Sequence, residues 1–523
     1  MCIRDRNITF IETNSEIIVF DCSMSEQAGE FALQEIRKIS DKPITTLFYS
    51  HHHPDHYRGA GGLVNPEEVK AGKVKIYAWA NFLEEKENEL GLIVNRQTMG
   101  ALYFTGALLD KEDKAYLSCC GTKTFGGKDV YIPPTDILDK DTQLTIDGLP
   151  INIFYSGGEA ISEFGIHLPA YDMVFIADEF FYSFPNLHSI RGSKPRIPDN
   201  YIKALDKIRE LQPEWLIGAH IMPIQGKAHI QEIITTNRDA IQYLWDQSIR
   251  YINKGYTAVE LQHQFKELPA HLQLKPFNAP MYGSPITAVP EFYTGWVSWF
   301  QGDATDLFPE HPVAEAKKMV SLLGGRDKVL KAAEAAFDKE DAQFGAKLSQ
   351  YLVRINKEDQ QARYLKAACL KKLGYAQTNQ IMRSWYLMGA KELEGKIDAK
   401  KVLQFGKSAV AGSVLSSEQI FNSWRYLLDA EKAGTKKLKL QLSFTDTKED
   451  WTLELRNSIL EMKKGRTNNP ETLIKTTVAQ INTFNQGGDI AANFQVEKGS
   501  LRVLAELIGY LDRETPGIYM HLR

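Results

Sequence analysis

The side chains of His51, His53, Asp55 and His56 fall within six residues of sequence. Imidazole nitrogen and carboxylate oxygen are good ligands for zinc and related divalent ions, and a set this dense can supply both halves of a two-metal site. The cluster directly follows Ile44-Thr45-Thr46-Leu47-Phe48-Tyr49, whose β-branched and aromatic content reads as a short buried strand. Open α/β sheets place ligands at the C-terminal ends of their strands, which is where these residues emerge. Gly59-Ala60-Gly61-Gly62 comes next, a backbone able to turn sharply into the following element. A histidine-rich surface turn is the alternative, but it suits an isolated His-x-His better than the full His-x-His-x-Asp-His spacing behind a strand.

Three further positions extend the cluster. Glu159 follows the strand-like run 151–155 in Ser156-Gly157-Gly158-Glu159, Asp178 ends Val174-Phe175-Ile176-Ala177-Asp178, and His220 ends Trp215-Leu216-Ile217-Gly218-Ala219-His220. A site assembled from distant segments needs its ligands at strand ends, and these three occur in order downstream of the tetrad.

The elements that must position them are legible as pattern. From Asn7 to about residue 234, short apolar strands alternate with helical stretches, the mark of layered α/β packing. Strands are expected at 8–11, 17–20, 44–49, 151–155, 173–176 and 215–217. Helices are expected at 26–40, with Ala32, Leu33, Ile36 and Ile39 on one stripe, and at 201–211. Near Thr236 the character changes to helices at 240–252, 257–265, 313–323, 327–339, 341–356 and 360–373. This block resembles paired-helix packing without enough units for a repeat array. Its aromatics Trp296, Trp299 and Phe300 suit subunit contacts as well as they suit a core. After Glu394-Gly395-Lys396 a third unit begins. Leu438, Leu440, Leu442 and Phe444 alternate strictly, as do Trp451, Leu453 and Leu455, which predicts a hairpin with one buried face. Helical runs are expected at 470–484 and 501–511.

At 523 residues the chain is too long for one core. Its 43% hydrophobic and 24% charged composition is ordinary for a globular protein, and a net charge of -4 argues for neither nucleic-acid nor membrane partners. No apolar run reaches the roughly 18–20 residues that span a bilayer. The five cysteines, with Cys119 and Cys120 adjacent, form no disulfide framework, and Cys22 and Cys369 read as packed. Met1-Cys2-Ile3-Arg4-Asp5-Arg6 has no signal-peptide core, and the chain opens inside a β-meander, which suggests missing upstream strands. Location would then be periplasmic or secreted with a lost export signal, and otherwise cytoplasmic.

Together with Ile132-Pro133-Pro134-Thr135, Gly158-Glu159-Ala160, Asn186-Leu187-His188-Ser189-Ile190-Arg191-Gly192, Tyr282-Gly283, Trp299-Phe300-Gln301-Gly302-Asp303 and Gly324-Gly325, the tetrad resembles the zinc-dependent bacterial alkyl sulfatases of the metallo-β-lactamase superfamily. The resemblance covers nearly the whole chain. It implies an α/β metallo-β-lactamase fold (an αββα sandwich) at 7–235, an all-α dimerisation domain at 236–394, and an α+β sterol-carrier-like domain at 395–523 with an apolar pocket for an alkyl chain. It also implies two Zn2+ per chain and a homodimer. His51, His53 and Glu159 would hold one ion, and Asp55, His56 and His220 the second. Asp178 would lie between them where the family commonly has a bridging Glu, with neighbouring Glu179 able to substitute if the register differs by one. Asp55 and His220 are the expected catalytic groups. Arg191 and Arg196 match the family's sulfate-binding arginines and are expected to respond alike to substitution, with Asn186 adding a neutral donor. A guanidinium fork fits a tetrahedral oxyanion and keeps its charge.

Two departures stand out. Where the family commonly carries Ser-His-Asn after its Tyr-Gly, with the His as a candidate general acid, this chain has Thr287, which cannot act as an acid near pH 7. A second family Tyr-Gly pair is replaced by Thr105-Gly106, with Tyr103 two residues earlier. The expected activity is hydrolysis of alkyl sulfate esters to alcohol and sulfate. The alternatives are a hydrolase of another ester, such as a lactone or phosphodiester, and a metal- or lipid-binding protein with little catalysis.

Overall fold

The strand Ile17–Phe20 is buried at every position because both of its faces are covered. Ile18 and Phe20 point into an apolar layer shared by two sheets, while Ile17 and Val19 point the other way, into a layer with Ile36 and Leu63. The first sheet has the order β1 (Thr9–Glu12), β2 (Ile17–Phe20), β3 (Ile44–Phe48), β4 (Lys75–Trp79), β5 (Asp136–Leu138); only the β1–β2 pair is antiparallel. The second comprises β6 (Thr142–Ile146), β7 (Leu149–Tyr155), β8 (Phe164–Leu168), β9 (Met173–Phe175), β10 (Trp215–Ile217) and β11 (Ile224–Gln225), in sequential order across the sheet. Within it, β9 and β10 are parallel.

Phe48, Tyr77 and Trp79 from the first sheet meet Ile151, Ile153, Phe164 and Ile166 from the second. The second sheet's outer face buries Val174 and Leu216 against Tyr201, Leu205 and Ile208 of helix Pro198–Leu211 and Ile230, Ile233 and Ile234 of helix Lys227–Ile252. The layers therefore run helix, sheet, sheet, helix, as an αββα sandwich. Helix Glu26–Arg37 stops before Ile39, which is exposed, so that residue does not belong to the buried stripe. The 26-residue helix Lys227–Ile252 runs straight through the expected junction at 235/236.

The structure, a computed structural model, describes residues 7–91, 93–116, 130–400, 402–403, 416–485, 487–513 and 517–522, and the Cys119-Cys120 pair lies outside them. Cys22 and Cys369 are buried free thiols. The chain divides into two units, one of residues 1–86, 95–402 and 517–523, the other of 87–94 and 403–516. In the first unit the sandwich is followed by the helices Pro312–Leu322, Arg326–Asp338, Ala342–Ile355, Gln360–Tyr375 and Gln380–Leu393. Ala333, Ala367 and Ala390 are fully buried where these helices meet.

The second unit holds a five-stranded sheet of order β14-β13-β12-β15-β16, from β12 (Leu438–Phe444), β13 (Asp450–Arg456), β14 (Ile459–Lys464), β15 (Leu473–Thr476) and β16 (Gln495–Lys498). Its core gathers Phe421, Trp424, Leu440, Leu442 and Leu453. The expected helix over 470–484 is corrected here: Leu473–Thr476 is a strand parallel to β12, and the helix is Val478–Asn485. Thr472, Ile474 and Thr476 are buried with Leu473 and Lys475 half-buried between them, the period of a strand. Among the described residues, no helix is long and apolar enough to cross a membrane.

Candidate metal centre

β3 delivers the tetrad. After Phe48 the chain leaves the sheet, and Pro54 at the first position of the short helix Pro54–Tyr57 turns Asp55 and His56 back toward His51 and His53. His51 Nε2 lies 2.8 Å from His53 Nδ1, and Glu159 Oε2 is 3.1 Å from His53 Nδ1 and 3.8 Å from His51 Nε2. In a second group, Asp55 Oδ2 is 3.2 Å from His56 Nε2 and 3.5 Å from His220 Nε2. Asp178 reaches both groups. Its Oδ1 is 3.3 Å from His220 Nε2, and its Oδ2 is 3.6 Å from His56 Nε2 and 4.0 Å from His51 Nε2. Ligand atoms about 2.0–2.1 Å from a tetrahedral ion stand about 3.3 Å apart, so these edges have the size of coordination polyhedra.

All seven sequence-derived ligand candidates are thus brought together, as His51, His53, Glu159 and Asp178 in one group and Asp55, His56, Asp178 and His220 in the other. The fit to cations has independent support. The buried atoms His56 Nε2, Glu159 Oε2 and Asp178 Oδ1 make no hydrogen bond of good geometry, and their nearest polar neighbours are the other candidate ligands; groups this buried cost free energy unless something binds them.

Parallel pairing of β9 and β10 explains how two residues 42 apart meet. Ile217 pairs with Phe175, so Asp178 and His220 each lie three residues past paired positions. The register question is also answered in space. Asp178 faces the histidines, whereas Glu179 Oε1 accepts from Gly158 N at 2.7 Å, and a Cβ on Gly158 would lie 2.3 Å from Glu179 Oε2.

A supporting layer orients the histidines, and most of it escaped sequence reasoning. Asp21, at the end of β2, accepts from Ser50 N and Ser50 Oγ, each at 2.9 Å, and its Oδ2 lies 2.7 Å from His56 Nδ1. Ser50 Oγ, whose hydroxyl donates to Asp21, accepts from His51 Nδ1 at 3.0 Å. These bonds place an N–H at Nδ1 of both rings and leave Nε2 as the atom of each that faces the centre. Asp21 sits at a strand end like the other site residues, and that placement was the signal for it. His52 is turned away onto Ser162 Oγ at 2.7 Å. Glu163 is fully buried and accepts from Asp178 N at 2.7 Å.

Charge follows from this packing. Burial and the neighbouring His56 and His53 hold His51 well below the usual imidazole range. Burial opposes protonation of His56, but Asp55, Asp21 and Asp178 outweigh it and raise His56 well above that range. Burial also works against ionised Asp178 and Glu159, yet His220 and His56 hold Asp178 well below the carboxylate range, and Arg196 and His53 lower Glu159. Burial pushes Glu179 up to about 8 and, with Glu179, Glu159 and Asp178 close by, raises Glu163 strongly. Glu163 and Glu179, both pushed up, therefore lie beside Asp178 and Glu159, which are both held low, a donor set suited to divalent cations.

The two arginines are placed differently. Arg196 is buried, its Nη2 paired with Glu159 Oε1 and its Nη1 donating to Asn186 O at 2.6 Å. Arg191 is half-buried on the same loop with its guanidinium 5.8 Å from the Phe104 ring centre. Asn186 is buried, and its Nδ2 has no hydrogen-bond partner. Tyr103 turns its hydroxyl to Glu392. Thr287 Oγ1 donates to Ser284 O at 3.1 Å, within the cap of helix Pro285–Val297. One turn on, Glu291 Oε2 lies 3.4 Å from His188 Nε2, and Thr287, Glu291 and His188 line a cavity of about 340 Å³.

An αββα sandwich with clustered His, Asp and Glu at its strand ends defines a metal-binding protein of the metallo-β-lactamase superfamily, and the model of that superfamily matches residues 4–220. Models described as alkyl sulfatase dimerisation and alkyl sulfatase C-terminal match residues 257–396 and 407–517. A linear primary-alkylsulfatase of Pseudomonas sp. (strain ATCC 19151) is 35% identical, with 98% of this chain and 100% of that protein covered. An alkyl/aryl-sulfatase of Saccharomyces cerevisiae is 30% identical over 88% of this chain and 72% of that one. The solved stereoselective inverting sec-alkylsulfatase Pisa1 from Pseudomonas sp. superimposes with a TM-score of 0.87 at 26% identity, covering 98% of this chain and 82% of that one. The chain belongs to the alkyl sulfatase family.

Proposed function

We propose that this protein is a dizinc hydrolase that cleaves alkyl sulfate esters to an alcohol and inorganic sulfate. The observation that carries the proposal is Asp178, whose two carboxylate oxygens approach both ligand groups. His51, His53 and Glu159 would hold one zinc, Asp55, His56 and His220 the other, with Asp178 shared. When bound, the two ions supply the Lewis acidity that makes water nucleophilic near neutral pH. Asp55 retains the most exposure of the seven side chains, 15%, with His220 and His53 at 9% each, and Asp55 and His220 are the groups we assign to face the substrate.

Arg191, Arg196 and Asn186 are assigned to the sulfate. Arg191 offers a guanidinium held over an aromatic face, and Asn186 offers a buried amide in need of an acceptor. Arg196 would join the sulfate to the metals, because it already holds Glu159. The helical block of about 236–390 is assigned to a homodimer; Trp296, Trp299 and Phe308 are exposed there. The 395–523 unit is assigned as sterol-carrier-like. Thr287 in place of an acid histidine favours a second reading, hydrolysis of another ester such as a lactone or phosphodiester. Assays of zinc-loaded protein against dodecyl sulfate, a lactone and a phosphodiester separate the two: turnover of dodecyl sulfate alone supports the sulfatase, and turnover of another ester without dodecyl sulfate supports the alternative.

A further inference from the structure

Glu392, on helix Gln380–Leu393, is 1% exposed. A buried carboxylate is costly unless its lone pairs are satisfied. This one accepts from three consecutive backbone N–H groups, Met520 at 2.9 Å, His521 at 2.6 Å and Leu522 at 2.7 Å, and from the hydroxyl of Tyr103. The arrangement ties residues 520–522 and helix Val94–Thr105 to one point on helix Gln380–Leu393. Packing repeats the tie: the Tyr103 ring lies 5.2 Å from that of Trp385 and 6.4 Å from that of His521. His521 in turn fills the place a Cβ on Gly389 would take, 2.3 Å from His521 Nε2. Burial and Glu392 keep the Tyr103 phenol protonated, as a donor must be.

The same helix Val94–Thr105 carries the contacts that hold Arg191. Gly100 passes so close to the Arg191 carbonyl that a Cβ would lie 2.1 Å from its oxygen. Phe104, next to Tyr103, lies under the guanidinium, and Gln97 Nε2 reaches Gly192 O at 3.5 Å. Phe104, Ile190, Tyr282, Ile381 and Trp385 pack as one cluster, which leaves the helix little freedom to slide against the Arg191 loop.

We infer that Glu392 and Tyr103 are positioning residues for Arg191, fixing through helix Val94–Thr105 the place from which its guanidinium meets a sulfate oxyanion. The inference rests on the proposal that Arg191 holds the sulfate. Neither residue touches the substrate. Their effect is on where the guanidinium stands, so sulfate binding should feel it and the metals should not.

The test uses zinc-loaded full-length protein carrying Tyr103→Phe, which removes one hydroxyl, and Glu392→Gln, which turns an acceptor into a donor facing donors. Titration calorimetry with inorganic sulfate, KM and kcat for an alkyl sulfate, and zinc content are read on each, alone and combined with Arg191→Ala. Expected is a rise of about three- to thirtyfold in sulfate Kd and in KM, with kcat and zinc content near wild type and no further loss in the Arg191→Ala background. Wild-type sulfate affinity in Tyr103→Phe overturns the inference even if Glu392→Gln fails to fold. An equal loss with and without Arg191 also overturns it, because the effect would then be general. A wild type that binds sulfate without hydrolysing alkyl sulfates defeats the functional proposal, while the sulfate Kd values still decide this one. A wild type that does not bind sulfate defeats the inference.

Discussion

Asp178 and His220 stand at matching positions beyond two parallel strands, and Asp178 Oδ1 lies 3.3 Å from His220 Nε2. A sheet register thus sets the distance between a shared carboxylate and an imidazole, and the metal centre inherits the rigidity of the core beneath it.

Asp178 and Glu179 should respond in opposite ways. Asp178→Asn removes charge from both ligand groups and should reduce bound zinc and hydrolysis together. Glu179, pushed up to about 8, is largely neutral at pH 7, so Glu179→Gln should keep the bond from Gly158 N and shift stability by less than about 1 kcal/mol. His53→Ala should remove most metal and nearly all hydrolysis. Elemental analysis and thermal melts of the variants check this; Glu179→Gln losing zinc while Asp178→Asn keeps it would reverse the assignment.

The arginines should not behave alike, contrary to the expectation from the family resemblance. Arg191→Ala should leave zinc content unchanged while costing about 2–5 kcal/mol in sulfate-ester binding or turnover, and Arg191→Lys should recover only part of it. Arg196→Ala strands buried Glu159, which typically costs about 3–5 kcal/mol, so it should lower stability as well as activity. Denaturant melts beside kinetics separate the two variants, and equal stability loss in both would contradict the placement of Arg196.

Metal binding should release protons. The raised His56 is protonated in the metal-free fold at pH values where an ordinary imidazole is neutral, and a ligand Nε2 must give that proton up. Zinc affinity should therefore fall as pH drops through the raised His56 pKa. The same shift gives the metal-free protein a stabilising contribution that is fully present below about pH 6.5, the unfolded value. That contribution is lost as pH rises through the folded pKa. Calorimetry in buffers of different ionisation enthalpy reads the proton release, and metal-free melts against pH, with His56→Asn as control, read the slope. Zinc binding without proton release near pH 7 would contradict this electrostatic picture.

The homodimer we propose should depend on the exposed aromatics of the helical block. Trp299→Ser together with Phe308→Ser, at residues 62% and 95% exposed, should shift light scattering toward monomer without loss of zinc. An unchanged mass would place the interface elsewhere.

Much of this was legible in the sequence because strand-end chemistry has a local signature. The tetrad, Glu159, Asp178 and His220 each follow an apolar run, and all seven converge. What escaped was set by tertiary contact. Asp21 is an ordinary acidic residue until β2 pairs beside β3 and brings it to Ser50 and His56. Arg191 and Arg196 look equivalent in a loop, but only packing buries Arg196 on Glu159. The strand at Leu473–Thr476 hid in an expected helix because its period-two burial spans only a few residues before a true helix begins.

Titrating zinc into metal-free protein while measuring sulfate released from dodecyl sulfate tests the shared dizinc centre most directly. Release should rise to a plateau at two zinc ions per chain. A plateau at one ion with all ligands intact, or no sulfate release at any loading, would contradict a dizinc alkyl sulfatase.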